Sequence, residues 1–171
     1  IYPLDPLLIL AVIKNESAFE PRAISAVGAA GPMQFMPQTG KEMGLDPVFE
    51  SGTLDRAFDV DDRSRDLYSR ALHLMRSERY GDLPEVVTTW KRVDARATDL
   101  FGRYRRELRS KIEGKSPTEL EAIDQRFVID EAVPRGVKYL ATLFAKRKGD
   151  PREALSAYNA GPGSVRRYNG I

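Results

Sequence analysis

The sequence predicts an all-helical domain, and three observations carry that prediction. Asp5-Pro6, Ser116-Pro117 and Asp150-Pro151 each pair a helix-capping side chain with a following proline. The oxygen can accept from an unpaired backbone N–H, while proline fills a first-turn position that needs none. Apolar residues recur at three- and four-residue spacing through the long segments. No alternating run demands a sheet, and no internal repeat is visible.

In chain order, Asp5-Pro6 starts a helix in which Leu7, Leu8, Ile9, Leu10, Val12 and Ile13 leave hardly a polar side. That helix should be central and should hold Glu16 at the edge of the core, partly removed from water. Pro21, Gly28 and Gly31 interrupt the periodicity, so a tight loop is expected from Glu20 to Pro32. A helical turn over Met33 to Met36 and a helix from Pro37 towards Gly44 follow. Residues 46–59, with Pro47 and Gly52, read as loop. A helix from Asp62 to Arg79 would bury Leu67, Ala71, Leu74 and Met75.

Next come a shorter helix near Pro84 and a longer one from Ala95 to Ile112, with Leu100, Phe101, Tyr104 and Leu108 at helical spacing. Ser116-Pro117-Thr118-Glu119 has the form of a capping box. Val133, Val137, Leu140, Ala141 and Phe144 predict a helix from about Asp130 to Arg147, where Pro134 must lie in the first turn or impose a kink. The last helix runs from Arg152 to Ala160, before Gly161-Pro162-Gly163.

At 171 residues the chain fits one domain with a real core. It has no cysteine, so disulfides and thiolate metal sites are excluded, and its single histidine, His73, cannot form a histidine cluster. No metal or cofactor is expected. The longest apolar run, Leu7 to Ile13, is too short to cross a bilayer. The features of a signal peptide are missing, and the chain, which begins almost inside a helix, reads as a mature or trimmed fragment. Charge is nearly balanced at +2. Lys91, Arg92, Arg96, Arg103, Arg105, Arg106, Arg109 and Lys111 nevertheless crowd one segment. They could attract an anionic polymer, but Asp94, Asp99, Glu107 and Glu113 are interleaved, and a solvated helix face is the favoured reading over nucleic-acid binding.

The most informative pattern is Glu16-Ser17, then Ser25, Gly28-Ala29-Ala30-Gly31, Met33-Gln34 and Met36-Pro37, answered later by Tyr139-Leu140 and Ala157-Tyr158-Asn159-Ala160-Gly161. These ordered elements resemble the soluble lytic transglycosylase catalytic domain, a lysozyme-like fold of the goose-type lysozyme kind that cleaves peptidoglycan. The resemblance covers Leu8 to Gly44 and Gly136 to Val165. Two departures stand out. The middle, from about 46 to 124, is longer than the usual family connection and reads as an enlarged helical insertion that could cover a groove, contact an envelope protein or enlarge the body. Ala132 stands where many members carry asparagine.

The resemblance implies that Glu16 protonates the oxygen between N-acetylmuramic acid and N-acetylglucosamine, then takes a proton from the muramic acid 6-hydroxyl as it attacks the anomeric carbon. The ends formed would be 1,6-anhydro sugars. Tyr158 would orient the Glu16 carboxyl group, and Ser17, Ser25, Met33, Gln34 and Asn159 would help bind substrate. The implied partner is the peptidoglycan glycan strand, in the periplasm or outside a bacterial envelope. A hydrolytic lysozyme would need a second carboxylate, for which Glu20, Asp55, Asp59, Asp130 and Glu131 are candidates without a specific reason to choose among them. A wall-binding domain without activity is the third reading. Trp90 is the best aromatic candidate for a groove, although core burial is the plainer role.

Overall fold

The computed structural model describes residues 3–160, and among these the regular structure is helical. The helices are α1 (Pro6–Ser17), α2 (Pro37–Glu42), α3 (Gly52–Arg76), α4 (Leu83–Ile112), α5 (Pro117–Glu121), α6 (Ile129–Lys146) and α7 (Pro151–Ala160), with 3-10 turns at Tyr80–Asp82 and Gln125–Phe127. Extended pairing among the described residues is limited to two antiparallel bridges, Ile24 with Ala30 and Ala30 with Phe35. The chain divides into two compact units. One comprises residues 1–24, 29–48 and 115–171; the other comprises 25–28 and 49–114.

In the first unit the caps form as the sequence predicts. Asp5 accepts from Leu7 N at 2.8 Å, Asp150 accepts from Arg152 N at 2.8 Å, and Ser116 with Glu119 completes a capping box. Bonds from Ser116 and Lys115 hold the Glu119 carboxyl at a pKa of about 2. The core gathers Val12 and Ile13 of α1, Met33, Phe35 and Leu45 from the connecting segments, Leu140, Leu143 and Phe144 of α6, and Ala154 and Ala157 of α7. Small residues on α7 let it lie close to α6.

Helix α1 departs from its expected central place. Val12, Ile13 and Ser17 are buried, but Leu7 is 72% and Leu10 50% exposed. Its apolar residues outnumber the core positions its one buried face can fill. In place of a helical turn at Met33, residues 31–34 form a turn, closed by Gln34 N to Gly31 O at 3.2 Å, and Phe35 returns to pair with Ala30. Pro134 lies inside α6, beyond the first turn, and the helix runs through it. The predicted Gly161-Pro162-Gly163 stop lies outside the described residues.

The second unit is built on the sequence neighbours α3 and α4, which are longer than predicted. Helix α3 starts at Gly52, ten residues before Asp62, because Ser51 caps it by accepting from Thr53 N at 3.1 Å. Glu107 of α4 accepts from the hydroxyls of Ser51 at 2.6 Å and Thr53 at 2.8 Å, which holds that start in place. The predicted short and long helices near Pro84 and Ala95 are one helix of 30 residues. Leu74, Ala71, Val86, Leu100, Phe101, Tyr104 and Leu108 are buried, whereas Met75 is 52% exposed.

Candidate active site

The site begins with the way α1 stops. Ala18 adopts a left-handed conformation with φ 52°, and its N–H closes on Lys14 O, so the helix ends just after Glu16-Ser17. Phe19 follows at φ 64°. Such geometry is uncommon for residues with a β-carbon, and it presents Glu16 at a helix end instead of within a continuing rod. Ser17 is buried and donates its hydroxyl to Ile13 O at 3.0 Å. It therefore secures the last turn.

Glu16 is half-buried, lining a cleft of about 160 Å³ with Leu8, Ala11, Asn15, Leu155, Tyr158 and Asn159. Removal from water disfavours the carboxylate and raises its pKa. Among the described residues, Glu16 is the one acidic side chain lining this cleft. The two ends of the sequence pattern, α1 and α7, thus meet across it.

Tyr158 is held by a hydrogen bond and by a ring contact. Its hydroxyl donates to Met33 O at 2.8 Å, and its ring lies 5.6 Å from that of Tyr139, which in turn lies 6.2 Å from Phe35. Burial drives its pKa well above the ordinary phenol range, helped by repulsion from the Glu16 carboxylate and then from Tyr139 once that phenol is ionised. Tyr158 stays a neutral phenol next to the acid. The hydrogen it was expected to offer to Glu16 is instead spent on the loop carbonyl. Tyr139 is also raised, by burial and then by Glu42.

The loop that supplies this carbonyl is itself anchored. Gln34, at φ 48°, donates from Nε2 to Gly31 O at 2.8 Å and to Ala23 O at 3.2 Å. The Met33 side chain, expected to help bind substrate, is buried in the core and packs where Gly136 lacks a side chain. A β-carbon at Gly136 would come within 2.3 Å of it. Asn159 is exposed at the cleft, free of the core. Ser25 belongs to the second unit, where its carbonyl accepts from Gly28 N at 3.2 Å.

The structure adds a device that the sequence reading missed. Asp124 and Arg126 are both fully buried and form a bidentate pair, with Nη2 to Oδ2 at 2.6 Å and Nε to Oδ1 at 3.0 Å. Arg126 Nη1 also donates to Phe35 O at 3.1 Å. Gly31, at φ +78°, lies so close that a β-carbon there would sit 1.7 Å from Arg126 O. The pair therefore clamps both ends of the 31–35 turn. An acid two residues before an arginine, between a capped helix and a helix start, was the available signal.

Among the described residues no group of three or more His, Cys, Asp or Glu could hold a metal ion, and no helix is long and apolar enough to cross a membrane. Trp90 is partly buried and its ring packs 5.5 Å from Tyr68.

Comparison with known proteins matches the transglycosylase SLT domain family over residues 1–62 and 108–171. The unmatched stretch, 63–107, lies within the α3 and α4 unit. The chain is also 36% identical over 83 residues to a protein named "Transglycosylase" from Enterobacteria phage PRD1. That match spans 48% of this chain and 27% of the phage protein. No solved structure matches significantly. With Glu16, the Gly31–Phe35 turn and Tyr158 all inside the matched ranges, the chain belongs to the transglycosylase SLT domain family.

Proposed function

We propose that the chain is a peptidoglycan lytic transglycosylase that cleaves the bond between N-acetylmuramic acid and N-acetylglucosamine without consuming water. The observation that carries this reading is a single carboxyl group, Glu16, half-buried in a cleft that holds no other acid among the described residues. One group must then serve twice. Its raised pKa keeps a proton available for the departing glycosidic oxygen. The resulting carboxylate takes the proton of the muramic acid 6-hydroxyl as that oxygen bonds to the anomeric carbon, which restores the acid and closes a 1,6-anhydro ring.

The nucleophile belongs to the same sugar, so little translational entropy is lost in bringing it to the reacting carbon. Hydrolysis with a protein carboxylate would require a second acid placed about 5–10 Å from the first. Tyr158 serves as a fixed neutral neighbour of Glu16, while Gln34 and Asn159 offer polar atoms to the acetamido groups and hydroxyls of the glycan. Ser17 and Met33 act on substrate through the backbone they shape. The place of action is the peptidoglycan layer, in the periplasm or outside a bacterial envelope.

The test is digestion of purified peptidoglycan by the wild-type chain and by Glu16→Gln, with product masses measured. Glu16-dependent products ending in 1,6-anhydromuramic acid are expected. Reducing ends heavier by one water would replace this reading with hydrolysis. No release by either chain would leave a wall-binding domain.

A further inference from the structure

The α3 and α4 unit holds a second cavity, of about 470 Å³, lined by Arg56, Asp59, Arg96, Asp99, Leu100 and Arg103. That volume suits a small polar ligand or a short peptide. Arg96, Asp99, Leu100 and Arg103 lie in the stretch that the family match leaves out. The groove is therefore an addition of this chain to the family's shared part.

Its charges are not all satisfied from within. Arg103 Nε pairs with Asp99 at 2.9 Å. Arg56 donates from Nε to Gly52 O at 3.1 Å, which leaves its two terminal amino groups unspent. The side chains of Arg96 and Asp59 have no hydrogen-bond or ion-pair partner among the described residues. Three guanidinium groups and two carboxylates give the groove a net charge of +1 at neutral pH. Guanidinium groups bind carboxylates and phosphates in matched two-bond geometry. The two aspartates decide between these ligands: they repel a dense polyanion such as a phosphate polymer or nucleic acid, and they can accept from an ammonium group.

We infer that this groove binds a zwitterionic peptide bearing free carboxylates, namely the peptide stem carried by the glycan strand. The identity of the ligand rests on the function proposed above, whereas the chemistry of recognition rests on the groove alone. Arg96 and Arg56 hold carboxylates of the peptide, and Asp59 holds its ammonium group. The added unit then gives the enzyme a second hold on a substrate whose sugar chain carries charge at each stem.

The test is calorimetric titration of the whole chain with a free stem-type tetrapeptide that has no sugar, against the same peptide with its carboxylates amidated. Arg96→Gln and Arg56→Gln are exposed changes whose folding is checked by circular dichroism. Saturable binding is expected, weakened roughly tenfold or more by amidation and by either substitution, as loss of a charge-assisted bond implies. Absence of binding, equal binding of the amidated peptide, or tighter binding of polyphosphate or duplex DNA would overturn the inference. Because the peptide contains no glycosidic bond, a failure here leaves the cleavage reading standing. Failure to cleave wall material would likewise leave this binding result standing.

Discussion

The two compact units solve the problem of holding side chains in opposite ways. In the site-bearing unit, placement is a matter of backbone: left-handed residues at Ala18, Phe19 and Gln34, a glycine pressed against a carbonyl, and a buried Asp124–Arg126 pair clamping a turn. In the α3 and α4 unit, apolar stripes on two long helices meet, and the charges stay in water. Its ion pairs are exposed, as in Arg79–Asp82 at 65% and 55% or Arg103–Asp99 at 61% and 52%. Acid catalysis needs a carboxyl group fixed and partly dried, whereas recognition of a charged ligand needs cations that are accessible. The same chemical groups are costly in one unit and nearly neutral in the other.

The sharpest test of this difference is Glu16→Gln, expected to lower cleavage by roughly 10²–10⁴-fold. Stability should move the other way. Burial raises the Glu16 pKa above 4.5, so between that unfolded value and the raised folded one the native state binds more protons, and the stability this contributes is lost as pH rises. The variant, having no charge to desolvate, should melt at or above the wild-type temperature at neutral pH, with the gain shrinking as pH falls through the raised pKa and gone by about 4.5. Cleavage by wild type should decline as pH rises through the raised pKa. A variant that unfolds early, or a rate flat across that range, would make Glu16 a structural residue.

Breaking an ion pair separates the units next. Arg126→Met leaves Asp124 buried without its guanidinium partner, at a cost of about 3–5 kcal/mol, measurable by urea unfolding. Arg65→Met removes the exposed partner of Asp61 and should change stability by no more than about 1 kcal/mol. Equal effects would erase the contrast. Gly31→Ala adds a side chain at φ +78° against Arg126 O. Backbone strain alone costs about 1–3 kcal/mol there, and cleavage should fall with it.

Tyr158→Phe is a smaller change, removing only the bond to Met33 O. Stability should fall by about 1–2 kcal/mol, and cleavage should drop because the Gly31–Phe35 turn loosens. An unchanged rate would mean that the ring, not the hydroxyl, is what the cleft requires.

What the sequence revealed follows the same division. The motif residues, the capped starts of α1, α5 and α7 and the core stripe of α4 were legible because each is local or periodic. The Asp124–Arg126 clamp was not, since its purpose depends on Gly31 and Phe35, some ninety residues earlier in the chain. Two helices were expected near Pro84 and from Ala95, yet one helix runs through Val86-Val87-Thr88-Thr89, a β-branched run with weak helix propensity. Packing overrides it, with Val86 buried against Ala71 and Leu74. Met33 was misplaced for another reason. Its position in a motif pointed to substrate, but its side chain fills the space that Gly136 opens, and it serves the site through its carbonyl.

The late start assigned to α3 leads to the smallest prediction. Pro47 and Gly52 made the segment look like loop, yet Ser51 caps the helix and Asp55 stands in its first turn. Gly52 itself is the first helical residue, and a β-carbon added to it would meet nothing within 4 Å. Its glycine therefore answers no steric demand, unlike that at Gly31. Gly52→Ala should reduce the freedom of the unfolded chain without strain in the folded one and stabilise by about 0.4–1 kcal/mol, with cleavage unchanged. The same substitution would thus have opposite signs in the two units. Destabilisation by Gly52→Ala would mean that the start of α3 depends on backbone freedom after all, and that the second unit is not held by its helix stripes and cap alone.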